Sequence, residues 1–179
     1  NKHRVAMETR PSNIEGKGEI TIRDLVRNAL HMRPDRLIIG EVRSEEALDM
    51  LQCMNIGRVG SMTTLHANSG LDALLRLETM AMMGSMNVSP ELIKRQIISA
   101  VDMVIVVDRM LDGARRVVSI AEVLKDNPSE YALSDIFSLV RIQDGNSVHF
   151  ELKATGYIPS FIKKFREIEG LPEEFKRQS

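Results

Sequence analysis

The chain has 179 residues, 43% of them hydrophobic, which suffices for one domain with a buried core and at most a small appendage. Lys and Arg total 24 against 25 Asp and Glu, a formal net charge of -1, so no global field draws the chain to nucleic acid or an acidic membrane. The single cysteine, Cys53, excludes an internal disulfide framework and a tetracysteine zinc module, and fits a reducing compartment.

No stretch approaches the roughly eighteen consecutive apolar residues of a membrane span, and the opening lacks the basic-then-apolar layout of a secretory signal. The chain starts at Asn1 in a polar stretch, NKHRVAMETRPSNIEGKGE, which reads as a sequence beginning inside a longer polypeptide. Residues 4–9 suit a short strand, and Pro11, Ser12, Asn13, Gly16 and Gly18 then make an exposed turn-rich loop. Thr21 caps a helix whose apolar positions Ile22, Leu25, Val26, Ala29 and Leu30 follow three-four spacing, with Asp24 placed for a capping box and Pro34 beyond its end. Leu37, Ile38 and Ile39 form a short apolar run, expected to be a strand buried on both faces of a parallel sheet, and Gly40 lets the backbone approach something closely.

Ser44 is expected to cap a second helix with Ala47, Leu48, Leu51 and Met54 on its inner side, and a strand is expected over 61–65. Ser69 with Asp72 opens a third helix, whose Leu71, Leu74, Leu75, Leu77 and Met80–Met83 are apolar all round, as for a helix sandwiched between neighbours or against another subunit. Ser89-Pro90-Glu91 starts a fourth helix through about Ala100, with Leu92, Ile93, Ile97 and Ile98 inward. MVIVVDRM and RRVVSIAEV flank Asp112-Gly113 as an antiparallel hairpin, and SLVRIQ and SVHFEL flank Asp144-Gly145-Asn146 as another. The tail, YIPSFIKKFREIEGLPEEF, reads as a short amphipathic helix, a capping or partner-facing appendage. There is no repeat and no low-complexity tract.

Two acid-base candidates stand out. Glu41 ends one buried strand, and His66 ends the next, 25 positions later. A carboxylate there can order a water or accept its proton, and an imidazole can donate to a phosphate oxygen and report its loss. Singly, each has an ordinary reading: Glu41 as an ion-pair partner of Arg43, His66 as polar surface. Together, in Gly40-Glu41-Val42-Arg43 and Thr64-Leu65-His66-Ala67-Asn68, each sits at a strand-to-loop transition followed by a capped helix, so one topology brings both to the same crevice.

At these residues the chain resembles the secretion ATPase superfamily of type II and type IV secretion and pilus machines, the VirB11-like proteins. LIIGEVR is similar to its atypical Walker B segment and GSMTTLHANS to its histidine box. The longer text ETRPSNIEGKGEITIRDLVRNALHMRPDRLIIGEVRSEEALDMLQCMN most resembles the tight-adherence pilus branch, the CpaF or TadA-like ATPases, and the likeness continues through ATGYIPSFIKKF. The resemblance implies an α/β fold: part of a RecA-like P-loop NTPase core, a mostly parallel sheet flanked by helices, with antiparallel hairpins and a small C-terminal helical appendage. Residues 1–125 would be the C-terminal part of the motor domain and 126–179 the hairpin and appendage.

It further implies Glu41 as the residue that positions the hydrolytic water and the Mg2+ sphere and His66 as the sensor of the terminal phosphate, with Gly40, Arg43, Thr64 and Asn68 supporting the nucleotide. ATP and Mg2+ are the implied cofactors of the complete protein. The implied setting is a homo-hexamer at the cytoplasmic face of the inner membrane, meeting membrane platform proteins, with no direct nucleic-acid binding. Arginines that reach a neighbour's nucleotide are implied too, and Arg10, Arg23, Arg27 and Arg33 are all candidates. The phosphate-binding string G-x-x-x-x-G-K-S/T does not occur, and Gly16-Lys17-Gly18 does not substitute for it. The acidic box expected upstream of the Walker B strand is missing as well, as expected of a chain that begins after both.

That leaves three readings: an ATP-hydrolysing motor subunit, a non-catalytic assembly module in this chain alone, and a conjugative DNA-transfer or effector-secretion ATPase. No protein-held metal is expected, since His3, His31 and His149 fall on different elements. Cys53 and the methionines 80, 82, 83 and 86 read as packing or subunit contact, and Lys163, Lys164 and Arg166 as a solvated face.

Overall fold

The computed structural model describes residues 4–57, 60–84, 87–145 and 147–162. The chain divides into two compact units, Asn1–Asp102 with Leu124–Ala132, and Met103–Val123 with Leu133–Ser179. The expected boundary after residue 125 does not coincide with this division, because strands on either side of it share one sheet.

In the first unit, residues 4–9 form no strand; the pairing there is an isolated bridge between Arg10 and Ile20. Inside it the Asn13 carboxamide oxygen accepts the N–H groups of Glu15 at 3.0 Å and Lys17 at 2.8 Å, closing the exposed loop. Helix α1 (Ile22–His31) begins with the expected capping box: the Thr21 hydroxyl accepts the Asp24 N–H at 3.1 Å, and the Asp24 carboxyl accepts the Thr21 N–H at 2.9 Å. Val26 and Ala29 are its buried side.

Strand β1 (Ile38–Ile39) pairs in parallel with β2 (Met62–Thr63), Ile38 beside Met62 and Ile39 beside Thr63. Both are shorter than expected, and Ile38 remains 67% exposed, so β1 is not covered on both faces. The connection between them is helix α2 (Glu46–Asn55), as a parallel crossover requires. Its cap corrects the expectation for Ser44. The N-cap is Glu45, whose side chain makes no capping bond, and Glu46 instead reaches back to the turn that precedes the helix.

Helices α3 (Gly70–Met83) and α4 (Pro90–Ala100) start as expected, the hydroxyls of Ser69 and Ser89 accepting the N–H groups of Asp72 and Leu92. Helix α2 lies against α1, α3 and α4, and the core they share includes Leu51, Cys53, Leu74, Ile93 and Ile97. The all-apolar α3 is half exposed here: Leu74, Leu77 and Met80 are buried, whereas Leu71, Leu75, Met82 and Met83 face outward. Leu92, expected inward on α4, is also exposed.

The second unit is one sheet in the order β3-β4-β5-β6, with β3 at Met103–Arg109, β4 at Arg115–Val123, β5 at Leu133–Asp144 and β6 at Ser147–Ala154, every neighbouring pair antiparallel. Both expected hairpins occur. Gly113 turns at φ +81°, where a side chain would be strained, and the Asp112 carboxylate accepts the Ala114 N–H at 3.0 Å. The buried carboxyl of Glu122 pins the end of the described chain, accepting the Tyr157 hydroxyl at 2.7 Å and the Ser160 hydroxyl at 2.5 Å. The expected tail helix lies mostly outside the described residues, together with Lys163, Lys164 and Arg166.

The fold is therefore α/β, but among the described residues the large sheet is antiparallel rather than mostly parallel. Tight turns join β3 to β4 and β5 to β6, and only antiparallel neighbours can be joined so shortly, whereas residues 124–132 lie between β4 and β5; the parallel pair β1-β2 has a helix between its strands.

Candidate functional site

Parallel pairing of β1 with β2 sets the geometry of the candidate site. Just past the strands, the Val42 N–H donates to the Thr64 carbonyl at 3.0 Å, and the Thr64 hydroxyl donates to the Gly40 carbonyl at 2.7 Å. These two bonds hold the chain ends level, so Glu41 and His66 emerge together: His66 Nε2 lies 3.2 Å from Glu41 Oε1. That distance is attractive when Nε2 carries the hydrogen. The other carboxylate oxygen, Oε2, sits 2.5 Å from Arg43 Nη2.

Exposure separates the partners. The Glu41 side chain is 22% exposed and that of His66 88%, so the acid is recessed and the imidazole projects. The hydrogen bond from Arg43 holds the Glu41 carboxyl below its ordinary value, partial desolvation opposes this, and the charges of Arg43 and of a protonated His66 add to the lowering. Arg43 is raised in return, chiefly by the same bond. Nothing lies within 4 Å of where a Cβ would stand on Gly40, so the floor beside the acid is open.

The turn from Glu41 into α2 is fixed from beneath. Glu46, only 5% exposed, accepts the N–H of Arg43 at 2.7 Å and of Ser44 at 3.1 Å with one oxygen, Oε1. Sequence reasoning passed over this residue, although an acid in the first helical turn directly after a functional loop is a recognisable signal.

The structure thus brings Gly40, Glu41, Arg43, Thr64 and His66 together. Asn68 follows on the same loop; its N–H donates to the Asp72 carboxyl at 2.8 Å, which closes the entry to α3. The four candidate arginines divide. Arg23 is held internally, by Asp49 at 2.7 Å, Glu45 at 2.6 Å and the Gly84 carbonyl at 3.1 Å, and Arg27 binds the other oxygen of Asp49 at 2.9 Å. Arg10 donates to the Gly18 carbonyl at 2.7 Å, and Arg33 is exposed in left-handed backbone at φ +51°. Arg23 is therefore ill suited to reach a neighbour. Cys53 is buried, as is Met80, whereas Met82 and Met83 are exposed; Met86 and His3 lie outside the described residues. Among the described residues no group of three or more His, Cys, Asp or Glu side chains could hold a metal, and no helix is long and apolar enough to cross a membrane.

Residues 6–134 match the family described as Type II/IV secretion system protein. A Mycobacterium tuberculosis protein with a conjugal-transfer name is 40% identical over 119 residues, covering 66% of this chain and 33% of its own. Type IV secretion system protein PtlH of Bordetella pertussis is 38% identical over 100 residues, 54% of this chain and 30% of PtlH. Among solved structures, the VirB11 ATPase of the Brucella suis type IV secretion system, in complex with sulphate, is similar at 30% identity and a TM-score of 0.54, over 57% of this chain and 32% of that one. The chain thus spans about a third of these relatives' length. The motif pair, its geometry and the extent of the match together place this chain in the type II/IV secretion system protein family.

Proposed function

We propose that the full-length protein is an ATP-hydrolysing motor of a secretion or pilus-assembly machine, and that this chain supplies one wall of its nucleotide site within a RecA-like core. The observation that carries the reading is the 3.2 Å approach of His66 to Glu41, two residues 25 positions apart that the parallel strand pair aligns. The similarity to the VirB11 ATPase supports it.

The residues fit a magnesium nucleotide on one side: a recessed carboxylate, an open glycine floor and a projecting imidazole donor. Bound Mg2+ would neutralise charge on the phosphates of ATP. Glu41, held ionised by Arg43, would accept a hydrogen bond from the attacking water and orient it; a lowered pKa makes it a weak base and a good orienting group. His66 would leave Oε1 to donate to the terminal phosphate, which couples phosphate arrival to freeing that oxygen for water. Gly40, Arg43, Thr64 and Asn68 would support this wall, and the remaining contacts would come from the rest of a cytoplasmic, homo-hexameric protein at the inner membrane.

Glu41→Gln in the full-length protein tests the reading. ATP binding should persist while turnover falls about a hundredfold or more. Unchanged turnover would refute the role of Glu41. Two other readings have specific support. These 179 residues contain no phosphate-loop string, which favours the chain alone as a non-catalytic assembly module. Weak or absent binding of a fluorescent ATP analogue to the isolated chain is expected, and micromolar binding would sink the module reading. The conjugal-transfer and type IV names of the relatives favour a DNA-transfer or effector-secretion machine over tight-adherence pili, a difference of partner rather than chemistry.

A further inference from the structure

We infer that Glu46 is a positioning residue for the candidate site: its buried carboxyl clips the turn that aims Glu41 and Arg43, so that removing the clip lowers turnover without removing any group that touches nucleotide. The inference rests on the proposed ATPase reading and names a residue which that reading does not use.

The geometry is specific. Helix α2 opens without a side-chain cap on Glu45, leaving the turn over residues 41–45 short of the usual fastening. Glu46, the first helical residue, supplies the fastening from inside the helix by accepting two consecutive N–H groups, Arg43 at 2.7 Å and Ser44 at 3.1 Å. Both donors belong to the segment that carries Arg43, whose guanidinium holds Glu41 at 2.5 Å. Upstream, the turn is tied by the Val42 N–H to Thr64. The segment is therefore anchored once to β2's extension and twice to Glu46, and these anchors decide where the Arg43 backbone stands. At 5% exposure little water can reach the site to replace the Glu46 carboxyl as acceptor once it is removed, and the freed N–H groups would seek solvent by moving the turn outward.

A side-chain substitution that keeps an acceptor should behave differently from one that removes it. In Glu46→Gln the carboxamide oxygen can still accept both N–H groups, whereas Glu46→Ala offers nothing. The test uses the full-length protein and counts active sites by the stoichiometry of bound fluorescent ATP analogue, so that unfolded molecules do not enter the rate. For Glu46→Ala, kcat per occupied site should fall about ten- to a hundredfold, the loss that a misplacement of about 1 Å can cause. The KM for ATP should stay within about twofold, because no ground-state contact is lost. Glu46→Gln should keep kcat within about threefold of the parent. Independently of turnover, amide hydrogen exchange of the peptide spanning residues 40–46 should accelerate in the alanine variant and not in the glutamine variant.

If Glu41→Gln abolishes turnover while Glu46→Ala leaves kcat and exchange unchanged, the clip is overturned and the ATPase reading stands. If Glu41→Gln leaves turnover intact, the reading falls and the functional part of the inference falls with it, although the exchange measurement still reports whether the clip exists. Should the alanine variant fail to fold, equal losses in kcat for Glu46→Gln and Glu41→Gln would overturn the positioning role, since the amide preserves both bonds.

Discussion

Gly84 caps the C-terminal end of α3 at a point where a single methyl group has no room. Its φ of −74° is ordinary for any residue, so alanine meets no backbone strain there. The obstacle is steric. A Cβ would stand 2.9 Å from the Glu45 carbonyl oxygen, 2.9 Å from Leu48 Cβ and 3.2 Å from Leu48 Cδ2. The Glu45 carbonyl cannot retreat freely, because it accepts the Leu48 N–H at 3.2 Å in the first turn of α2, and the Leu48 side chain is buried. The end of α3 must therefore move, stretching the 3.1 Å bond from Arg23 to the Gly84 carbonyl.

Overpacking of this kind costs about 1–3 kcal/mol, and the lower chain entropy of unfolded alanine returns about 0.4–1 kcal/mol. A net loss of about 1–2 kcal/mol follows, which for a chain of this size lowers Tm by about 2–8 °C. Urea denaturation followed by far-UV circular dichroism, with the m value checked for constancy, measures it directly. An unchanged or higher midpoint for Gly84→Ala would refute the reasoning, because it would mean that α2 and α3 are not in contact there.

Gly40→Ala should contrast with it: no atom lies within 4 Å of the added methyl, so stability should be unchanged, while the KM for ATP in the full-length protein should rise if this floor receives nucleotide. An unaltered KM would remove Gly40 from the site. Leu51, 0% exposed, should lose about 2–5 kcal/mol as Leu51→Ala, and Leu75, 48% exposed, much less in the same urea assay; equal losses would show that the core is misassigned. Asp24 is held below the ordinary carboxylate value of 3.8, chiefly by the Thr21 backbone hydrogen bond, so its stabilising share is present above that pH and lost as pH falls through the lower folded value. The stability gap between wild type and Asp24→Ala should accordingly shrink below pH 3.8, and a gap that stays constant down to strong acid would contradict the capping box.

Much of the helical architecture was legible in the residues alone. Thr21 with Asp24, Ser69 with Asp72 and Ser89 with Pro90 carry their caps in side chains within a few positions, so local chemistry settles where α1, α3 and α4 begin. Ser44 misled because α2 starts without a side-chain cap and the turn before it is fastened by an acid already inside the helix, an arrangement that depends on burial of Glu46. The hairpin at Asp112-Gly113 was equally local, since the turn needs positive φ and a side-chain acceptor at adjacent positions.

By itself, the sequence determined the family motifs, the starts of α1, α3 and α4, the hairpin turns and the choice of Glu41 and His66 as candidates; each is a matter of residue type and local pattern. Tertiary structure alone decided the rest. The mostly parallel sheet that the resemblance implied gave way to an antiparallel one: the two hairpins were local, but the pairing of β4 with β5, which joins them, is a choice of partner that alternation cannot make. The fate of the arginines was likewise invisible: Arg23 and Arg27 stood as candidates to reach a neighbour's nucleotide until α2 placed Asp49 between them, because a charge's availability depends on which opposite charge the fold places beside it.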